Sequence, residues 1–265
     1  MMKAILKADQ LTAGYGHKVI IDQQTVEIPE GCVTGLIGPN GCGKSTLLNT
    51  LNGFEAPMAG NVELDGKQMS QYSAKQRAQE IAVLPQRTVI PEGISVFELV
   101  SYGRYCRQRG MHRLSKADRQ AVEDAIKAVH LVDKHDELLT SLSGGQQQRA
   151  LIAMTLAQNS RILMLDEPTT YLDLTNQLEI LDLLHELNAT FQKTVIIVLH
   201  DLNEAARYCD HLICMIHGRV AAVGSPDDVL TETTLANIFK VSGDITYDND
   251  CPQITNCHPL PVAQP

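Results

Sequence analysis

The sequence predicts an α/β fold built on a parallel sheet, with a small antiparallel region ahead of it and a helical insertion within it. First, Val33-Thr34-Gly35-Leu36-Ile37 runs into the glycine-rich stretch 38–43 and is followed by Ser45-Thr46-Leu47-Leu48, the strand, loop and helix order in which a phosphate loop is found. Second, Ile162-Leu163-Met164-Leu165 and Val195-Ile196-Ile197-Val198-Leu199 have the continuous apolar character of buried strands. Between them lies a helical pattern carrying Leu174, Leu178, Leu181 and Leu184. A strand, helix, strand order implies parallel pairing, because a parallel connection needs a crossover. Third, from about residue 90 to 158 the periodicity turns helical.

The remaining elements follow in chain order. Val19-Ile20-Ile21 and Val26-Glu27-Ile28, ahead of Pro29-Glu30-Gly31, read as short strands with turns. Ser95-Val96-Phe97-Glu98 and Ser115-Lys116-Ala117-Asp118 have the spacing of capping boxes, so each starts a helix, and Val122, Ala125, Ile126 and Val129 keep one apolar face on the second. From about Val241 the chain carries scattered Pro and the acidic Asp248-Asn249-Asp250 and reads as a tail. The expected division is one domain over residues 1–240, its helical subdomain at about 90–158, and a C-terminal tail at 241–265.

With 265 residues and 44% hydrophobic content, the chain suits one large domain or two closely packed subdomains. A net charge of -9 excludes a general nucleic-acid binder, which would neutralise phosphates with many Lys and Arg. Seven cysteines, odd in number and without a CxxC pair, point to a reducing compartment and to no zinc site. Lys3, Lys7 and Asp9 interrupt the N-terminal apolar residues before a signal-peptide core forms. No apolar run approaches the ~20 residues that span a bilayer. The expectation is a cytoplasmic chain whose membrane contact comes through a partner.

Gly38-Pro39-Asn40-Gly41-Cys42-Gly43-Lys44-Ser45-Thr46 fills the pattern GxxxxGK[ST]. Its glycines let backbone N–H groups face a triphosphate, and the helix behind supplies its positive end. Lys44 places a point charge at the β and γ phosphates, and Ser45 places a hydroxyl on Mg²⁺. Asp166 follows the 162–165 run and is placed to hold Mg²⁺ through its water shell. Glu167, next to it, orients and deprotonates the attacking water, a role worth about 10²–10⁴ in rate. His200 ends the 195–199 run at the same sheet edge, within reach of a γ-phosphate. Gln86 closes Ile81-Ala82-Val83-Leu84-Pro85 in the same manner and is placed to touch Mg²⁺ or the attacking water. In Leu142-Ser143-Gly144-Gly145-Gln146, Ser143 can cap the next helix while the glycines let backbone amides approach an anion. A bulky adduct on Cys42, inside the loop, would obstruct the triphosphate.

Taken in this order over residues 1 to about 240, these motifs resemble the nucleotide-binding subunit of the ATP-binding cassette (ABC) superfamily, with 142–146 the most specific of them. The resemblance implies a P-loop NTPase with a RecA-like core, an antiparallel β subdomain and a helical subdomain. It implies ATP and Mg²⁺ as ligands, and a homodimer in which Ser143, Gly145 and Gln146 face the γ-phosphate bound by the other subunit. It further implies Tyr15, in Gly14-Tyr15-Gly16, as the aromatic stacking on adenine, Gln86 as the Q-loop glutamine and Asp173 as the D-loop acid. Thr170-Tyr171 departs from the commoner Ser-Ala, and Gln147 stands where many relatives carry a basic residue; neither position is expected to touch a phosphate.

A closer resemblance is to the ATPases of importers for ferric siderophores, ferric citrate, haem and vitamin B12. It rests on the 38–46 loop, on 93–104 (Gly93-Ile94-Ser95-Val96-Phe97-Glu98-Leu99-Val100-Ser101-Tyr102-Gly103-Arg104), on 166–173 and on 198–203, and the ferric-siderophore and ferric-citrate branch is nearest. It implies a peripheral subunit on the cytoplasmic face of the cell membrane, bound to two integral membrane permease subunits and, indirectly, serving a substrate-binding protein, with no nucleic-acid partner. A coupling helix of the permease is expected in a groove involving residues 87–100, where Val89, Ile90, Ile94 and Phe97 are either lining or subdomain core. Arg104, Arg107, Arg109, Arg113, Lys116 and Arg119, opposed only by Asp118, are either a solvated face or a contact toward the membrane. Cys251, Cys257 and His258 are expected to be solvated rather than metal-bound. Haem or vitamin B12 import, and a soluble ABC ATPase of iron–sulfur cluster assembly, stay open as alternatives. A translation or DNA-repair cassette fits poorly with a single cassette, no sustained heptad and an acidic balance.

Overall fold

The computed structural model describes residues 3–88, 90, 92–108 and 114–261. Val89, Arg109 and Arg113, named above, lie outside them, as do the chain ends at 1–2 and 262–265. The chain begins with β1 (Ala4–Tyr15), β2 (Lys18–Pro29), β3 (Val33–Ile37), α1 (Lys44–Leu51), β4 (Ala59–Leu64) and β5 (Lys67–Gln68). It continues with α2 (Ala74–Glu80), β6 (Ile81–Leu84), α3 (Val96–Tyr102), α4 (Lys116–Ala128), α5 (Gly144–Ala157), β7 (Ile162–Leu165), α6 (Leu174–Phe191) and β8 (Thr194–Val198). The last stretch holds α7 (Leu202–Tyr208), β9 (His211–Ile216), β10 (Arg219–Gly224), α8 (Pro226–Val229), β11 (Val241–Asp248) and β12 (Cys251–Pro259). Two compact units result, one from residues 1–70 with 196–265 and one from residues 71–195.

In the first unit, an antiparallel sheet runs in the order β2-β1-β4-β5. The two short strands expected before Pro29 are in fact parts of one twelve-residue strand, β2, which pairs with β1, a strand of equal length that the sequence reading did not separate out. Register shifts around Leu11 let Gln10 and Gln23 take left-handed backbone, with φ of 49° and 50°, without ending either strand. Such bulges break the two-residue alternation that marks a strand in sequence. All five residues of β3 are buried, and β3 lies parallel to β9 with Ile37 opposite Cys214, while β10 pairs antiparallel to β9.

The segment set apart as a tail folds too. β11 and β12 form an antiparallel hairpin with Asp248 opposite Cys251, and the two residues between them, Asn249 and Asp250, have φ of 48° and 62°. Two consecutive left-handed residues make the tight turn that matches strand twist, and Asn and Asp tolerate that conformation. Pro252 and Ile254 are buried, and Cys257 is exposed. Among the described residues no three His, Cys, Asp or Glu side chains gather to hold a metal ion.

In the second unit, both expected capping boxes form: Ser95 and Ser115 accept from the backbone N–H of Glu98 and Asp118, whose carboxylates accept in return from the cap N–H groups. β6 and β7 pair in parallel from Ile81–Ile162 to Leu84–Leu165. α6 forms where the leucine spacing placed a helix, but its buried stripe is Ile180, Leu181, Leu183, Leu184 and Leu187. Leu174 is 68% exposed, because the first turn lies ahead of that stripe.

The basic stretch is not a simple solvated face. Arg104 is buried, with Nε 2.9 Å from Asp118 Oδ1 and Nη1 donating to Ala157 O at 2.6 Å. Arg107 donates to Gln79 O, Gln158 O and Asn159 O at 2.6, 3.2 and 2.8 Å, neutralising carbonyls at helix ends. Arg119 lies over the Phe97 ring at 5.2 Å. Counting charges along the chain cannot reveal these partners, since carbonyls carry no sequence signature. Replacing Asp118 would leave the Arg104 guanidinium buried without its carboxylate. Asp118→Ala is therefore expected to cost about 3 kcal/mol in urea denaturation at pH 7. The Ser115 hydroxyl, and then Arg104, hold the Asp118 carboxyl below its ordinary range. Its contribution is whole above the unfolded value of ~3.9 and is lost as pH falls through the lower folded value, so the gap between wild type and variant narrows below about pH 4.

Candidate functional site

The residues singled out by sequence divide between the units. Tyr15, residues 38–46 and His200 belong to the first; Gln86, residues 143–146, Asp166, Glu167 and Asp173 belong to the second.

In the first unit, β3 delivers the chain directly into the loop. Gly38, Gly41 and Gly43 have φ of 142°, 74° and 108°, the backbone that turns successive N–H groups toward one side. At Gly38 space is decisive as well, because a Cβ would stand 2.2 Å from Met215 O. Gly43 occupies the cap position of α1 and has no side chain with which to satisfy the first-turn amides. Pro39 is half-buried, and Asn40 and Gly41 are exposed at the loop's crest. Lys44 is only 6% exposed, its Nζ donating to Gly38 O at 2.7 Å and Pro39 O at 3.1 Å, so the ammonium is held across the loop. Ser45 and Thr46 follow in the first turn of α1. Cys42 is buried, its carbonyl accepts from Gly218 N–H at 2.9 Å, and burial pushes its thiol above the ordinary range. It is thus a poor nucleophile at neutral pH, and the obstruction expected from a thiol adduct would form slowly.

Leu199 N–H donates to Leu36 O at 3.2 Å, so the chain carrying His200 leaves beside the strand that feeds the loop. His200 is exposed there. Tyr15 ends β1 opposite Lys18 and is 47% exposed.

In the second unit, Asp166 N–H donates to Leu84 O at 2.9 Å, so β6 and β7 end side by side. The residues just beyond the two strands meet: Gln86 Nε2 donates to Glu167 Oε2 at 2.5 Å, and Thr170 Oγ1 donates to the same oxygen at 3.2 Å. Glu167 sits in left-handed backbone, φ 53°, which costs about 1–3 kcal/mol and persists only where surroundings impose it. Asp166 is buried.

Ser143 caps α5, accepting from Gln146 N–H at 3.3 Å, while Gln146 Oε1 accepts from Ser143 N–H at 3.1 Å. The Gln146 side chain therefore completes a cap at the start of this helix. Gln147 donates to Leu139 O and Leu142 O, both at 3.1 Å, and steadies the approach to the motif. Asp173 caps α6, its Oδ1 accepting from both the backbone N–H and the Nδ2 of Asn176 at 2.9 and 2.8 Å. Tyr171 is 83% exposed with φ of 69°.

Two residues here escaped the sequence reading. Thr170 registered only as a departure from a common pattern, yet it bonds the Glu167 carboxylate. Asn176 lies against Gly145: a Cβ on Gly145 would stand 1.9 Å from Asn176 Oδ1. The one signal available was the three-residue spacing from the Asp173 cap. Gly145→Ala would push aside the amide that holds Asp173, so hydrolysis is expected to fall on the order of tenfold while ATP affinity of the isolated chain is unchanged. Steady-state turnover set against binding of a fluorescent ATP analogue checks this.

The chain matches the family model described as ABC transporter over residues 21–170. It is 48% identical over 248 residues to the probable siderophore transport system ATP-binding protein YusV of Bacillus subtilis (strain 168), covering 94% of this chain and 90% of that one. The ferric enterobactin transport ATP-binding protein FepC of Escherichia coli (strain K12) is 46% identical over 236 residues, covering 89% and 87%. In three dimensions the chain is similar to the dimeric post-hydrolysis ATP-binding cassette MJ0796 bound to ADP and Pi, with TM-score 0.72 and 29% identity, over 83% of this chain and 98% of that one. The fold is that of a P-loop ABC nucleotide-binding domain, and the chain belongs to the ABC transporter family as one of its ATP-hydrolysing subunits.

Proposed function

We propose that this chain powers an importer that carries a ferric siderophore or ferric citrate across the cytoplasmic membrane. The observation that carries this reading is identity of 44–48% over about nine-tenths of the chain to relatives named for siderophore, petrobactin, iron(3+)-hydroxamate and ferric enterobactin transport. Those names favour it over haem, vitamin B12 and iron–sulfur assembly.

The loop amides and Lys44 take the triphosphate, and the exposed Tyr15 ring stacks on adenine. Ser45 and Asp166 offer the hard oxygen donors that Mg²⁺ prefers, so the donor set fits that ion. Gln86 uses its nitrogen on Glu167, and its oxygen is the donor it can offer to Mg²⁺ or water. When bound, the metal neutralises charge on the β and γ phosphates. Glu167, held by Gln86 and Thr170, accepts the proton of the water that attacks the γ-phosphorus, with ADP leaving and His200 contacting the γ-phosphate. Ser143 and the backbone at Gly145 and Gln146 face the nucleotide of a second copy, with Asp173 and its α6 start lying beside them, so two chains complete two sites.

A groove along α3 supports attachment to the permease. It is lined by Phe97, Glu98, Ser101, Tyr102, Tyr105 and Leu114 and has a volume of about 670 Å³. Tyr102 and Tyr105 are exposed, whereas Phe97 is half-buried with its ring centroid 4.8 Å from that of His135. This extends the expected 87–100 docking segment along α3, with Phe97 both packed and lining. A coupling helix seated there would bring a subunit with no helix, among the described residues, long and apolar enough to cross a membrane to the cytoplasmic face of one. The permease pair in turn receives cargo from a substrate-binding protein.

Glu167→Gln is expected to keep ATP binding while slowing hydrolysis at least ~100-fold, and near-normal turnover would remove Glu167 as the principal base. In iron-limited cells, radioactive iron uptake with that variant is expected to fail for one class of ferric chelate while haem and cobalamin uptake continue. Undiminished uptake of every chelate would overturn the iron reading.

A further inference from the structure

The C-terminal hairpin is attached to the helix that follows His200. Asn203 stands in the first turn of α7, three residues after His200. Its backbone N–H and that of Glu204 donate to Asp201 Oδ1 at 2.8 and 3.0 Å, the cap that starts the helix. Its side chain reaches β12 instead: Asn203 Oδ1 accepts from Ile254 N–H at 2.8 Å, and Asn203 Nδ2 donates to Ile254 O at 3.2 Å. One amide thereby satisfies both backbone groups of one strand residue, as a neighbouring strand would. Ile254 is 7% exposed, so this pairing is made where an unmet N–H or C=O would be costly.

The hairpin is itself held at other points. Asp227 of α8 lies beside the Tyr247 hydroxyl and raises its pKa, and Leu260 N–H donates to Lys240 O at 2.8 Å across the hairpin base. α7 is only seven residues long, so a bond at its first turn anchors the whole element. On the other side of His200, Leu199 N–H is tied to Leu36 O. His200 therefore lies between two anchors, one on the strand that feeds the phosphate loop and one on the hairpin.

We propose that Asn203 is a positioning residue through which the hairpin of residues 241–259 sets the placement of His200 and so tunes the rate of hydrolysis. This rests on the reading of His200 as a γ-phosphate contact. The hairpin supplies no catalytic group; it removes freedom from the short segment that carries one, and small misplacements of a catalytic group cost rate rather than binding.

The test uses the full-length chain with its membrane partners and measures kcat, KM for MgATP and the melting temperature. Asn203→Ala is expected to lower kcat about tenfold with KM held within about twofold and a cooperative melting transition retained. Ile254→Pro removes the donated N–H from the hairpin side and is expected to give the same loss, with the double variant no worse than either alone. His200→Ala is expected to lose more, with Asn203→Ala adding nothing to it. If His200→Ala is inactive while Asn203→Ala and Ile254→Pro keep full kcat, the proposal is overturned and the role of His200 stands. If His200→Ala keeps its kcat, the reading beneath the proposal fails. Losses that multiply, or that raise KM and abolish cooperative melting together, would assign Asn203 to stability alone and also overturn it.

Discussion

The hydrogen bond from Asp166 N–H to Leu84 O closes the β6–β7 ladder in register, and the meeting of Gln86 with Glu167 depends on that closure. Parallel strands that end level release their next residues side by side. Gln86 and Glu167, eighty-one positions apart in the chain, meet at 2.5 Å for this reason. The Leu199–Leu36 bond does the same in the first unit, bringing the segment that bears His200 out beside the strand entering the loop. Gln86, Glu167 and His200 sit just past buried strands, where the ladder behind them is fixed by pairing and the residues beyond it are released from it.

Release from pairing has a conformational cost, and the chain meets it in two ways. In the loop, glycine occupies the left-handed positions, and at Gly38 no other residue would fit against Met215 O. At Glu167 a non-glycine residue is held in left-handed backbone by its surroundings, including Gln86 and Thr170, which bond its carboxylate. α1 starts at Gly43 without a side-chain cap, whereas the starts of α5 and α6 are satisfied by the side chains of Ser143 and Asp173.

What could be read along the chain was local. The phosphate loop, the capping boxes at Ser95 and Ser115, and the strands behind Asp166 and His200 are legible because their physics is complete within a few residues. Asn176 against Gly145 and Asn203 against Ile254 were not, because each acts on a group whose proximity the fold creates, and Thr170 was not, because a threonine three residues after a glutamate has no distinctive pattern. Arg104 and Arg107 misled for a related reason, their partners being a distant carboxylate and carbonyls on other elements. The hairpin at 241–259 was read as tail because its alternation is weak and its turn is acidic.

By itself, then, the sequence determined the family, the strands that lead to the loop, to Asp166 and to His200, and the helix starts at Ser95 and Ser115, since these follow from short-range stereochemistry and hydrophobic periodicity. Only the tertiary structure decided which side chains hold Glu167, which arginines are internal, and that the C-terminal hairpin grips the helix after His200. Apart from the bond of Thr170 to Glu167, three residues away, those contacts join residues of separate elements, and a hydrogen bond of that kind is specified by which elements pack together, which no local pattern encodes.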